Sequence, residues 1–99
     1  MISNVQTEGS WIRVYDEKSK KISQMPSGKI AVVGIASDFF IVEDGAWIRV
    51  FDLNCKKISQ LPLNKIKVIT AVGQSFTTKE GNWIRVYDKE CKKLSQKPA

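Results

Sequence analysis

Histidine is absent from all 99 residues, which removes the commonest general base, triad member and zinc ligand. There are only two cysteines, Cys55 and Cys91. Two thiols cannot make a four-ligand zinc site, and neither has a histidine to activate it as a nucleophile. Proline occurs three times and glycine six, too rarely for a collagen-like or low-complexity chain. The longest apolar runs, residues 30–36 and 39–42, fall far short of the roughly 20 residues that a membrane-spanning helix needs. The first residues, Met1 to Asn4, lack the basic and apolar stretches of a secretory leader. No Gly-rich phosphate loop, Walker lysine or dinucleotide fingerprint occurs. The expectation is a protein that is not an enzyme, needs no cofactor or metal, makes no membrane contact and resides in the cytoplasm.

What is present is an ordinary globular composition, 42% hydrophobic and 26% charged, of a size that makes one small domain. The net charge of +6 favours an acidic partner, either an acidic protein face or nucleic acid. It also serves simply to keep a soluble domain dispersed.

The dominant feature is a 36-residue repeat. Trp11-Ile12-Arg13-Val14-Tyr15-Asp16 returns as Trp47-Ile48-Arg49-Val50-Phe51-Asp52 and as Trp83-Ile84-Arg85-Val86-Tyr87-Asp88. Each copy is followed by a polar turn and a basic segment, Lys20-Lys21-Ile22-Ser23-Gln24, Lys56-Lys57-Ile58-Ser59-Gln60 or Lys92-Lys93-Leu94-Ser95-Gln96. Pro26, Pro62 and Pro98 follow in register, and Gly9, Gly45 and Gly81 each stand two residues before a tryptophan. The repeats divide the single domain as 1–28, 29–64 and 65–99.

Every segment reads as strand. The Trp-Ile-Arg-Val-aromatic unit alternates with period two and is rich in β-branched and aromatic residues. Asp16, Asp52 and Asp88 are placed to start type I turns, and the prolines end the basic strands because they cannot continue a ladder. A full unit has four strands. The fourth kind, read as buried strands at residues 30–35 and 66–72, occurs twice, so eleven strands are expected and one edge is left open. An open edge invites a partner strand, hence the expectation of a homodimer. Cys55 and Cys91 occupy equivalent places, with Ser19 in the first copy. Held one repeat apart, they lie beyond the roughly 7 Å Cα limit for bridging, so free thiols are expected.

Three units closing within one chain suggest an all-β, pseudo-threefold, β-prism-like fold. The alternatives are a β-trefoil or propeller blades closed by oligomerisation. Glu80-Gly81-Asn82-Trp83-Ile84-Arg85-Val86-Tyr87-Asp88 resembles the D-G-N-L-V-x-Y-D hairpin of the bulb-type, monocot mannose-binding lectins, and that resemblance implies the prism. The sugar-binding pattern Q-x-D-x-N-x-V-x-Y fits only at Asn82. Thr78, Glu80 and Val86 stand where it needs glutamine, aspartate and tyrosine, so mannose binding does not carry over. The whole chain resembles short uncharacterised bacterial proteins that repeat W-I-x-x-Y-D-x-x-G-K-x-I-S, which implies a bacterial or phage source and no known activity.

Two surfaces are candidates for binding. On an alternating strand Trp11, Arg13 and Tyr15 point one way, as do Trp47, Arg49 and Phe51, and Trp83, Arg85 and Tyr87. Exposed, these stripes would stack bases or an extended sugar, with Lys20, Lys21, Lys56, Lys57, Lys92 and Lys93 as a basic surface for phosphates. Buried, each tryptophan would plug a shared axis. The expected function is a binding or assembly module that grips another macromolecule through a basic β surface. Nucleic-acid binding through the stripes, and an immunity or accessory role in a bacterial mobile element, are the alternatives.

Overall fold

The computed structural model describes residues 2–28, 30–62 and 66–98; the expected repeat boundaries at Lys29, Asn64 and Lys65 lie outside them. Eleven strands are present: β1 (Asn4–Glu8), β2 (Trp11–Tyr15), β3 (Lys21–Pro26), β4 (Ala31–Ile35), β5 (Phe39–Asp44), β6 (Trp47–Asp52), β7 (Lys57–Pro62), β8 (Ile66–Val72), β9 (Ser75–Glu80), β10 (Trp83–Asp88) and β11 (Lys93–Pro98). No helix is long and apolar enough to cross a membrane among the described residues. The fold is all-β, with the expected strand count.

The strands form three antiparallel meanders. The first sheet has the order β1-β2-β3, the second β4-β5-β6-β7 and the third β8-β9-β10-β11. The alignment is set by the 36-residue offset, so β4 and β8, the inner strands of the stack, are equivalent, and among the described residues the first sheet has no counterpart of them. Each Trp strand pairs with its basic strand in one register. Trp11 faces Pro26, Trp47 faces Pro62 and Trp83 faces Pro98, with a bulge at Ile22, Ile58 and Leu94 opposite the step into Tyr15, Phe51 and Tyr87.

The turn beyond it has an irregularity of its own. Asp16, Asp52 and Asp88 accept the amide of the third residue on, at 3.0 Å in each case, and their carboxylates hold further turn amides at 2.8–3.0 Å. The fourth residue must then adopt a left-handed conformation, the three-residue hairpin with a bulge. Ser19, Cys55 and Cys91 sit there with φ of 61°, 60° and 62°. The amide of Lys20, with smaller help from that of Lys18, draws the Asp16 carboxyl below its ordinary range against the opposing effect of desolvation.

The core is two clusters, not one. Between the first and second sheets, Ile2, Val5, Ile12 and Val14 meet Phe40, Val42 and Phe51. Between the second and third, Phe39, Ile41, Ile48 and Val50 meet Val68, Phe76 and Tyr87. The second set is essentially the first advanced by one repeat: Val5 becomes Ile41, Ile12 becomes Ile48, Val14 becomes Val50, Phe40 becomes Phe76 and Phe51 becomes Tyr87. The sheets therefore stack in a row, each laying its Ile–Val face on the aromatic face of the next, along a molecule of 40 × 25 × 18 Å. Each of the two clusters takes side chains from two neighbouring sheets, whereas a prism centre would be lined by all three.

Neighbouring sheets approach closest along one edge, β1 to β4 and β4 to β8. Residues 30–35 and 66–72, expected as buried strands, are mostly half-buried or exposed, because they stand at that edge. Gly34 on β4 makes the second approach feasible. A Cβ there would lie 3.3 Å from the Ala71 Cβ and 3.4 Å from Ile41 Cδ1, tighter than an ordinary packed contact. The stack thus fans out from the inner strands toward β3, β7 and β11.

Candidate functional site

Trp11, Trp47 and Trp83 open the equivalent strands β2, β6 and β10, so the fold brings them to the same end of three adjacent sheets. They remain 38%, 37% and 41% exposed. The first has no sheet over its aromatic face and the other two have one, yet the exposure is the same. The tryptophans therefore stand at a rim beyond the reach of sheet stacking. They plug no axis, which corrects the buried reading of the stripes, and the rims above the two covered aromatic faces stay open.

The aromatic that ends each stripe behaves differently. Phe51 and Tyr87 are core residues, stacked on Phe40 and Phe76 at 5.6 Å and 5.5 Å between ring centroids, while Tyr15 is only half-buried on the open face of the first sheet. Neighbouring residues of one strand face therefore divide: the rim keeps Trp and Arg, and stacking takes the aromatic where a neighbouring sheet exists.

Each arginine is held by a carboxylate from the preceding strand. Arg49 Nη1 meets Asp44 Oδ2 at 2.7 Å, Arg85 Nη1 meets Glu80 Oε1 at 3.0 Å and Arg13 Nη1 meets Glu8 Oε1 at 3.8 Å. In the outer repeats the same glutamate accepts the tyrosine hydroxyl, Tyr15 to Glu8 and Tyr87 to Glu80, the latter at 2.8 Å. Glu80 also accepts the Thr78 hydroxyl at 3.0 Å. The middle repeat has Phe51 in place of tyrosine and the shorter Asp44 in place of glutamate, so it keeps only the ion pair. All three Nε atoms are buried without a hydrogen-bond partner among the described residues. Such an orphan donor costs about 1–3 kcal/mol, and it recurs in every copy.

The acidic partners, Glu8, Asp44 and Glu80, were not among the expected site residues. The sequence does carry their signal, because glutamate accompanies tyrosine and aspartate accompanies phenylalanine across the three repeats. The hydrogen bond to the carboxylate raises the Tyr15 hydroxyl, and burial foremost raises that of Tyr87. The cluster is thus a fixed ion pair with a phenol held in its neutral form, suited to orienting a guanidinium.

The lysines belong to the other end of the sheets. Lys20, Lys21, Lys56, Lys57, Lys92 and Lys93 are all exposed, and Lys21, Lys57 and Lys93 reach Gln24, Gln60 and Gln96 at 3.1–3.2 Å. Lys21 pairs across the ladder with Tyr15 and Pro26 with Trp11, which puts the two ends about 13 Å apart along the strand. Tryptophan and lysine pairs therefore make two separate surfaces. Cys55 and Cys91 are free; burial pushes both thiols up, against a smaller lowering by Ser23 and Ser59, which disfavours the nucleophilic thiolate. Compared with known proteins, the chain matches no family model and no curated protein.

Proposed function

We propose that the protein is a non-catalytic binding module that grips another macromolecule, in the first instance a protein with acidic segments, along the triplicated Trp–Arg rim. The observation that carries this reading is the equal exposure of three equivalent tryptophans, whatever covers the sheet below. Half-exposed indole beside an oriented guanidinium is the chemistry of protein interface hot spots. Each guanidinium is already matched by a carboxylate, so the rim itself has little appetite for phosphate. The six lysines at the opposite end supply the preference for acidic segments.

Replacing Trp11, Trp47 and Trp83 with alanine together tests the reading by affinity capture from native cells. The wild type retains a protein partner after nuclease treatment, and the triple variant loses it while keeping its folding transition. A retained species that disappears with nuclease would replace this reading with nucleic-acid binding. The net charge of +6 favours that second reading, and it requires affinity to fall steeply with salt.

A further inference from the structure

The stack of sheets has two unlike ends, and they are the two halves of an interface the chain already makes twice. The second sheet presents Val33, Ala36, Ile41, Ile48, Val50 and Ile58 to the third. One repeat on, the third sheet carries Ile69, Val72, Thr77, Ile84, Val86 and Leu94, with no further sheet over them among the described residues. Ile69 is 51% exposed, Val72 69% and Leu94 59%, and among the described residues these are the most exposed of the large aliphatic side chains. At the other end, Asn4, Gln6, Tyr15 and Ser19 occupy the places of Phe40, Val42, Phe51 and Cys55. There, with Ser3 and Asp16, they line an open cleft of about 280 Å³.

We infer that a second copy of this chain docks head to tail, the Ile84–Val86–Leu94 face of its third sheet covering the Tyr15 face of the first sheet. This is a face-to-face contact, distinct from strand addition at an open edge, and it stands independently of the rim reading.

Two details support continuation by the same rule. The first is a repeated latch. Ser23 Oγ donates to the Leu53 carbonyl at 2.6 Å and lies 3.2 Å from Cys55 Sγ; Ser59 Oγ donates to the Lys89 carbonyl at 2.7 Å and lies 3.1 Å from Cys91 Sγ. Ser95 is the third such serine and is exposed, while Glu17 and Ser19 are the matching receivers at the far end. The second is Gly34. It clears the inner strand of the following sheet, and its equivalent on the open face is the bulkier Thr70, which has no strand to clear because the first sheet lacks an inner strand. A heterologous contact of this kind closes a ring when its rotation allows. The fan of the sheets bends the stack toward closure, and two chains make six sheets, within the range of about 4–8 found in propeller-like rings.

Sedimentation analysis across micromolar to millimolar concentrations tests the oligomeric state, and a discrete assembly of two or more copies is expected. Leu94→Glu combined with Ile69→Glu places charge at sites exposed in the single chain, which spares its folding, and should weaken association by about two orders of magnitude or more. Ser19→Cys combined with Ser95→Cys should give a reducible covalent link between chains under oxidation, with neither single variant doing so. A protein that stays monomeric throughout overturns the inference. So does an oligomer that survives both charged substitutions, or one in which the cysteine pair never links.

Discussion

The Ile–Val face of the second sheet and the same face of the third differ little in sequence and greatly in fate. Ile41, Ile48 and Val50 have no exposure at all, whereas Ile84 and Val86 are only half-buried and Leu94 is largely open. Position in the stack, not residue type, separates them. The aromatic faces differ in chemistry as well. The second sheet lays Phe40, Val42 and Phe51 on its predecessor, and the first has Asn4, Gln6 and Tyr15 at those places. One end of the row is thus made more polar, as terminal units of stacked folds are, and the other keeps its apolar side chains. That asymmetry is what head-to-tail docking exploits.

The largest contrast should come from one substitution made twice. Ile48→Ala empties a fully enclosed site and should cost about 2–5 kcal/mol, read as a shift of the denaturation midpoint. Ile84→Ala, one repeat on, removes the same atoms from a half-open face and should cost less than half as much in dilute solution. At high concentration its penalty should grow, because association draws the folded state through that face. Equal costs at both positions would mean that the two faces are equally buried, contrary to the stack.

Next in size is the inner-strand pair. Gly34→Thr installs the residue its own equivalent carries and forces it against Ala71 and Ile41, an overpacking worth about 1–3 kcal/mol. Thr70→Gly, on the open side, should change thermal stability by no more than the ordinary cost of glycine in a strand, about 0.5–1 kcal/mol.

A smaller effect distinguishes the three hairpin corners. Ser19, Cys55 and Cys91 share a left-handed backbone that costs a side-chain-bearing residue about 1–2 kcal/mol, partly offset by the entropy glycine loses on folding. Ser19→Gly should therefore stabilise by up to about 1 kcal/mol. Cys55→Gly should not, because the Cys55 side chain also packs in the first core cluster and meets Ser23.

The 36-residue period made the strands, their number, the turn aspartates and the free thiols legible before any coordinates. It left the stacking mode open, since period-two alternation tells which residues share a face but not what lies opposite. A prism and a row of blades need the same Ile–Val pattern. The rim was half legible: Trp and Arg declared themselves by repetition, but their exposure depends on standing at a sheet end. The carboxylate partners were hidden because Glu8, Asp44 and Glu80 change identity between copies. Only the match between acid length and the presence of a phenolic hydroxyl gives them away, and it is visible once Tyr15 and Tyr87 are seen to donate to glutamate. The separation of lysine from tryptophan follows from hairpin geometry, because residues at the two ends of a five-residue strand cannot serve one small ligand.

The smallest and most local comparison is between the two tyrosines. Both titrate above the ordinary value of about 10, but for differently ordered reasons. Hydrogen bonding to Glu8 comes first for Tyr15, and burial comes first for Tyr87. A raised pKa means that the folded state prefers the protonated phenol. The associated stability is whole below the unfolded value and is lost as pH rises through the folded one. Absorbance titration should accordingly show Glu8→Gln relaxing Tyr15 most of the way toward its free value, while Glu80→Gln leaves Tyr87 substantially raised. Head-to-tail docking would cover Tyr15 as the first and second sheets already cover Phe51 and Tyr87. Its titration should then move further up as protein concentration increases, while that of Tyr87, already enclosed, stays where it is. A Tyr15 curve that does not respond to concentration, in a sample shown to be oligomeric, would place the contact on some other face of the molecule.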